Sequence, residues 1–374
     1  MTFKRIRAQT LCIIAANAVS IILSVSLFIS AALLSESQKT QFSAENWTAK
    51  NSKFAYSQQS AFIGNDAEFT TDSLDMVRGI ISNEITNASI KNEENNRLWY
   101  DSYYSRIGKF QAHGTVLGNT ECEINAVNGD FFMLHNFRLI NGAFFSDNDL
   151  MQDYAVIDDN TAWKLFGSSD VVGMSFTVNN NDFYVSGVIE RPKSKGEIEY
   201  YGKSPEIYIS YDSASVIIGE EYSAISCYEA VLPEPVENFA SKTFKTAFEA
   251  YSDSSVLITN TDRFSFRKRM KALKNISSCV APKKPVIYPW WENAARKTEF
   301  RLSFIYLFAL LALIIPLITV IVLLVKLYRY YRKQKRKLKN KLSDIIDRIR
   351  TRKYRKELSI TAENADISNQ QPYM

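Results

Sequence analysis

Hydrophobic positions fall into two unbroken runs near the ends of the chain and many short ones between. Residues 8–35 are 28 uncharged residues between Arg7 and Glu36, and residues 302–325 are 24 between Arg301 and Lys326. At about 1.5 Å rise per residue, roughly 20 helical residues cross a ~30 Å hydrocarbon core, so each run predicts a membrane-spanning helix. A cleaved leader carries an apolar stretch of only about 7–15 residues, so the first run reads as an uncleaved anchor. It places Cys12, Ala16, Ser20 and Ser24 at four-residue spacing with Asn17 beside them, small positions that let a second helix approach closely. The second run has Pro316 near its centre, which predicts a bend.

Between the runs the pattern changes. Residues 36–70 are rich in Ser, Gln and Asn with scattered aromatics (Phe42, Trp47, Phe54, Tyr56), and read as a helix or stalk leaving the membrane. Leu74, Val77, Ile80, Ile81 and Ile85 have helical spacing, and Asp72 or Ser73 is placed to cap that helix. From about residue 98, short apolar runs broken by Gly, Asn and Asp predict strands. ECEINAVNGDFFML alternates and turns at Asn128–Gly129, and MSFTVNNNDFYVSGVIE reads as a hairpin turning at Asn179–Asn180–Asn181–Asp182. TAWKLFG predicts a short helix stopped by Gly167, and PEIYIS and CYEAVLPEP are further strands. A helix bearing Phe239, Phe244, Ala247 and Phe248 on one face follows, and SSVLITN closes the sheet. The expected fold class is an α+β extracytoplasmic domain flanked by two transmembrane α-helices. The basic stretch from about 263 reads as helical, and 290–326 as one long helix beginning after Pro289.

Charge orients these elements. The formal net charge of +5 conceals a segregated distribution. Residues 35–300 hold 26 Lys/Arg against 35 Asp/Glu, whereas residues 326–356 hold 15 Lys/Arg against Asp344 and Asp347 alone. Lys4, Arg5 and Arg7 precede the first run. The positive-inside rule puts both termini in the cytoplasm and residues 36–300 outside, at the cell (plasma) membrane. Phe300, Phe304 and Tyr306 at the outer end, with Tyr328, Tyr330 and Tyr331 at the inner end, fit an interfacial aromatic belt.

Candidate chemistry is sparse. Cys12 lies in the first run, which leaves Cys122, Cys227 and Cys279 outside; this is not a disulfide framework, although one pair could form. His113 and His135 are the only histidines and have no metal-ligand spacing. Asp147, Asp149, Asp158 and Asp159 lack the alternation and closing Glu of a calcium loop and read as solvated turn acids. No catalytic, cofactor-binding or metal-ligating residue is expected, no cofactor is implied, and the chain is not expected to be an enzyme. Without GxxxxGK[ST] there is no P-loop.

One ordered series of motifs is more specific. Gly142, Phe145, Asp147 and Asp149 are followed by a strand, a helix ending Leu165–Phe166–Gly167, a turn with Asp170, Val172 and Gly173, and a hairpin ending Val185–Gly187–Val188. Read bottom-up, Gly142, Gly167, Gly173 and Gly187 sit where turns or helix ends require positive φ. The series resembles the extracytoplasmic core domain of the MacB/FtsX/LolC-E type of ABC-transporter permease, in a shortened two-helix form. Such permeases carry one membrane helix before the outside domain and three after it; here one follows. The resemblance implies a separate ABC ATPase subunit, a second permease subunit, and an oligomer.

The tail completes the picture. Leu338, Leu342, Ile345, Ile346 and Ile349 share one helical face whose opposite face is almost entirely Lys/Arg. That predicts an amphipathic helix lying on anionic lipid or docked on the ATPase, with no role in nucleic-acid binding. The expected organisation is a cytoplasmic N-terminus (1–7), transmembrane helix (8–34), extracytoplasmic domain (35–300), transmembrane helix (301–326), basic amphipathic helix (327–356) and disordered tail (357–374). The expected function is a permease-like subunit coupling a separate ATPase to the outside domain in export or mechanotransmission. The alternative is a membrane-anchored extracellular binding or sensor module that no longer transports.

Overall fold

The computed structural model describes residues 2–50, 55–91, 97–146, 149–219, 222, 224–273 and 286–368. In chain order the elements are α1 (Thr2–Glu36), α2 (Ser43–Lys50), β1 (Ala55–Ile63), α3 (Thr71–Asn87), β2 (Tyr100–Gly114), β3 (Asn119–Gly129), α4 (Phe131–Leu134), β4 (Leu139–Gly142), β5 (Tyr154–Asp158), α5 (Asp159–Phe166) and β6 (Ser175–Val178). They continue with β7 (Asn181–Ile189), α6 (Lys195–Tyr201), β8 (Glu206–Ser210), α7 (Ala214–Ile218), β9 (Cys227–Glu234), α8 (Phe239–Ala247), β10 (Ser255–Thr259), α9 (Phe266–Ala272), α10 (Trp290–Ala312) and α11 (Ile314–Ser368). Two compact units result, Leu27–Phe308 and the pair of segments Met1–Ser26 with Ala309–Met374.

Unit Leu27–Phe308 is the α+β domain. Among the described residues ten strands form one sheet, ordered β10-β1-β9-β2-β3-β8-β5-β7-β4, with β6 bridging β2 and β7. Most pairs are antiparallel, but β3–β8 and β5–β7 are parallel. On one face α3 and α8 bury Leu74, Val77, Ile81, Ile85 and Phe244 against strand residues such as Tyr228 and Leu232. On the other, Phe62, Tyr104, Phe131, Tyr208 and Trp291 form an aromatic core.

Local chemistry explains the elements. The β6–β7 hairpin turns on Asn179 (φ 47°) and Asn180 (φ 64°), a left-handed pair that matches the twist of the strands. Asp158 caps α5 by accepting from Thr161 N at 2.7 Å, and Gly167 (φ 74°) ends it. The cap of α3 is Thr70, without a side-chain hydrogen bond, rather than Asp72 or Ser73. Gly142 adopts φ 80°, and a Cβ there would lie 2.2 Å from Ser186 O. Gly187 differs from the expectation: its backbone is not in the positive-φ region, and its need is space, because a Cβ would meet Ala143 O at 2.6 Å.

The segment read as a stalk contains β1, which lies between β9 and β10 and is buried from Tyr56 to Ile63. Ser57, Gln59 and Ser60 look solvent-facing in sequence, yet their side chains find hydrogen-bond partners inside the sheet. Gln59 Nε2 donates to Ser57 Oγ at 2.9 Å, and Thr259 Oγ1 donates to Gln59 Oε1 at 2.8 Å. Phe54 lies outside the described residues.

At the helical end of this unit, Ala31 of α1 is buried with Ala295, Leu302 and Tyr306 of α10. Tyr306 is therefore packed against protein, with Phe28 6.0 Å from its ring, and is no lipid-facing belt residue.

In the other unit, Ser20 and Ser24 are buried while Cys12 and Ala16 are exposed. Ser24 Oγ donates to Ala309 O at 3.0 Å, and Asn17 Nδ2 donates to Thr319 Oγ1 at 3.1 Å. The small-residue stripe thus makes its contact with only half its length. The helix expected over 290–326 starts at Trp290 but is interrupted at Leu313. Pro316 has no N–H to reach Ala312 O, so the ladder breaks one residue beyond Ala312. Helix α11 runs to Ser368, so residues 357–368 are helical where disorder was expected. No Gly or Pro interrupts them, and Glu357, Leu358, Ala362, Glu363 and Ala365 all favour helix. Leu338, Leu342, Ile345, Ile346 and Ile349 are exposed.

Candidate functional site

A cluster of buried polar side chains lies where α10 meets the sheet of unit Leu27–Phe308. Helix α10 begins at Trp290, after Pro289, and its first turns point two kinds of side chain inward. Trp291 enters the aromatic core, 4.9 Å from the Tyr104 ring and 4.3 Å from the His135 ring. Glu292 and Glu299 are seven residues apart, so one helix face presents both carboxylates. Arg263, in the loop after β10, meets Glu292 in a fork, Nη1 to Oε2 at 2.7 Å and Nη2 to Oε1 at 3.0 Å. Glu299 takes a further contact from Arg263 Nη2 at 3.3 Å and one from Arg269 Nη2 at 2.7 Å. Two guanidiniums thus face two carboxylates, and the charges balance.

The network extends into the sheet. Gln41, in the turn after α1, accepts from Arg263 Nη1 at 2.8 Å and from Asn260 Nδ2 at 2.7 Å. Ser60 Oγ of β1 stands 3.0 Å from Asn260 Oδ1 and 2.6 Å from Glu229 Oε1 of β9. Glu229 Oε2 in turn lies 2.7 Å from His135 Nε2. A continuous buried polar path therefore joins the start of α10, the turn after α1 and the middle of the sheet. Burial works to lower the Arg263 pKa, but Glu292 and Glu299 outweigh it and hold the guanidinium above its ordinary value. Arg263 stays charged, and each carboxylate beside it has a counter-ion.

The residues singled out in the sequence go elsewhere. Asp149 accepts from Ser146 N at 2.8 Å as a turn acid, and Asp170 accepts from Asn141 Nδ2 at 2.7 Å. Asp158 is not solvated: it is buried as the α5 cap, with Arg191 Nη1 at 3.5 Å. Asp147 and Cys279 lie outside the described residues. Cys122 and Cys227 are buried free thiols. His113 sits on β2 opposite Asn119, nine residues along the strand from Tyr104. Among the described residues no three His, Cys, Asp or Glu gather as a metal site.

In sequence the stretch from about 263 shows only a basic, helical composition, which does not mark Arg263 and Arg269 as buried partners of acids. One signal was present: Ala295, three residues after Glu292 and four before Glu299, and Leu302, three after Glu299, share a helix face with both acids. Acids interleaved with buried small and apolar positions call for buried partners.

The fold defines a class, an α+β domain in a chain that has, among the described residues, two helices long and apolar enough to span a membrane. The sequence profile described as MacB-like periplasmic core domain matches residues 14–240. The chain belongs to this family, that of the MacB-like ABC transporter permeases. The macrolide export ATP-binding/permease protein MacB of Haemophilus ducreyi is 30% identical over 159 residues, which are 40% of this chain and 22% of that protein. The chain therefore spans far less than the whole of that relative. Among solved structures, the periplasmic region of MacB from Actinobacillus actinomycetemcomitans aligns with TM-score 0.38 at 13% identity, over 58% of this chain and 92% of that one. The extracellular domain of the ABC-type transporter YknZ from Gram-positive bacteria aligns with TM-score 0.37 at 17% identity, over 54% and 99%.

Proposed function

We propose that this chain is a permease-like subunit that couples a separate cytoplasmic ABC ATPase to its extracytoplasmic domain, in export or mechanotransmission. Both termini are cytoplasmic in this reading, and the chain acts as an oligomer or beside a second permease subunit. The observation that carries it is the Arg263–Glu292–Glu299 junction. Its members belong to the first turns of α10, to the loop after β10, and through Gln41 to the turn after α1. In the sequence the second apolar run begins three residues after Glu299, and the first ends six residues before Gln41. A displacement of either helix end thus reaches the sheet through buried charge-assisted hydrogen bonds, which resist stretching more than loop contacts do. The chain contributes motion to this cycle, and ATP hydrolysis belongs to the partner.

The exposed apolar face of α11 is the surface through which the ATPase engages, and the Lys/Arg face opposite it lies toward anionic headgroups. Tagged chain purified gently from its native membrane should carry a stoichiometric P-loop ATPase, identified by mass spectrometry. Leu342→Asp with Ile346→Asp should remove it. Recovery of the chain alone would favour a membrane-anchored binding module.

A further inference from the structure

A cleft of about 540 Å³ opens on the aromatic face of the sheet in unit Leu27–Phe308, within the size range of small-molecule sites. Tyr104, Asn125, Tyr201, Glu206 and Trp290 line it, together with the Arg106–Glu123 pair. The two charges of that pair are spent on each other: Arg106 Nε and Nη2 each lie 2.6 Å from a Glu123 oxygen. Glu206 is different. It is buried on β8, its Oε2 accepts from Tyr208 Oη at 2.6 Å, and Asn125 Nδ2 approaches the same oxygen at 3.4 Å. Among the described residues no donor of the chain reaches Oε1. A carboxyl group with one oxygen unclaimed therefore lies in an aromatic cleft.

The walls suit a cation. Tyr201 and Trp290 meet edge to face at 5.0 Å, and Tyr201 already carries the Arg191 guanidinium 4.9 Å from its centroid. Arg191 is itself held by Asp158. We propose that this cleft binds a small organic ammonium ion, seated between the Tyr104, Tyr201 and Trp290 rings with its charge against Glu206. Ring quadrupoles and one carboxylate together select positive charge, while the apolar bodies of the rings take the organic substituent. The two cations that line the cleft are already matched, Arg106 by Glu123 and Lys109 by Glu121 at 3.6 Å, which leaves Glu206 as the group that a ligand's positive charge can ionise and a neutral ligand cannot.

The proton balance follows. Burial, with Asp158 and Glu123 adding to it, pushes Glu206 up to about 8, against the Tyr208 hydrogen bond and the attraction of Arg191. Arg106 also faces it, held by Glu123. Empty, the cleft holds a carboxylic acid at neutral pH. A bound ammonium stabilises the carboxylate, so the Glu206 O–H bond breaks and its proton passes to buffer. A quaternary ammonium has no proton of its own to lose, so any proton released comes from the protein.

The test is calorimetric titration of the full chain in lipid nanodiscs at pH 7 with benzyltrimethylammonium, in two buffers of different ionisation enthalpy, against empty nanodiscs. Expected are saturable binding, release approaching one proton per ligand, and binding about tenfold weaker for benzyl alcohol. Glu206→Gln, close to isosteric, should weaken the ammonium about tenfold and abolish the buffer dependence. Equal binding of the alcohol, proton release that survives in E206Q, or no saturable heat at millimolar ligand would each overturn the proposal. None of these outcomes depends on whether an ATPase couples to the domain.

Discussion

Arg263 and Glu292 face each other in a two-bond fork at 2.7 and 3.0 Å, with side chains 2% and 0% exposed. Removing one member of such a pair leaves a charge that cannot reach water. Arg263→Ala should therefore destabilise the domain by about 3–5 kcal/mol. Thermal unfolding of the purified chain, followed by Trp fluorescence, measures this directly. A loss below about 1 kcal/mol would mean that water enters the junction and that it is not a rigid link.

Glu206 makes stability depend on pH with a definite sign. Its folded carboxyl keeps a proton up to about pH 8, while an ordinary one releases it near 4.5. Between those values the folded state binds more protons than the unfolded, so its contribution to stability falls as pH rises. Glu206→Gln removes that slope. Melting temperatures taken from pH 5 to 9 should fall less steeply in the variant than in the parent, and parallel curves would show that Glu206 ionises normally.

Much of this fold is legible in the sequence, for reasons that are local. Alternation and the Asn179–Asn180 turn specify the β6–β7 hairpin, and Leu74, Val77, Ile81 and Ile85 give α3 its buried face. Strand β1 is hidden because Gln58, Gln59 and Ser60 look like solvent-facing residues until β9 and β10 flank them. The junction and the cleft are harder still. Gln41 stands 222 positions before Arg263 and Glu292 stands 29 after it, and no spacing rule links them. Only the sheet order brings them together.

Gly142 occupies a conformation and a space closed to other residues. An added methyl would combine φ 80° with a 2.2 Å approach to Ser186 O. Gly142→Ala should lower stability by at least about 1–2 kcal/mol, through backbone strain and a clash that must push β4 from β7. Gly173, also at positive φ (82°), has nothing within 4 Å of the corresponding position. Its alanine variant should cost less in a side-by-side melt; equal losses would show that φ alone sets the penalty.

The buried thiols provide a probe of domain opening. Burial pushes Cys122 up to about 12, and Cys227 is raised by burial as well. Thiolate is the reactive form, so both should resist maleimide in the folded chain and react together on unfolding. Mass mapping of labelled peptides separates them from Cys12. Labelling of Cys122 in native membranes would mean that β3 separates from its neighbours without global unfolding.

Replacing both members of the central pair distinguishes stability from specificity at the junction. Arg263→Met with Glu292→Leu fills similar volume and removes both desolvated charges, an exchange that is often neutral or stabilising. Glu299 keeps Arg269, at 2.7 Å, as its counter-ion in that variant. Gln41 loses one donor but retains Asn260 Nδ2. The double variant should therefore unfold within about 1.5 kcal/mol of the parent, although Arg263→Ala alone does not. With stability preserved, the distance between spin labels on α10 and β1 should broaden, because an apolar contact permits sliding that a two-bond fork forbids. An unbroadened distance would assign the fixed position of α10 to Trp291 and its aromatic neighbours instead.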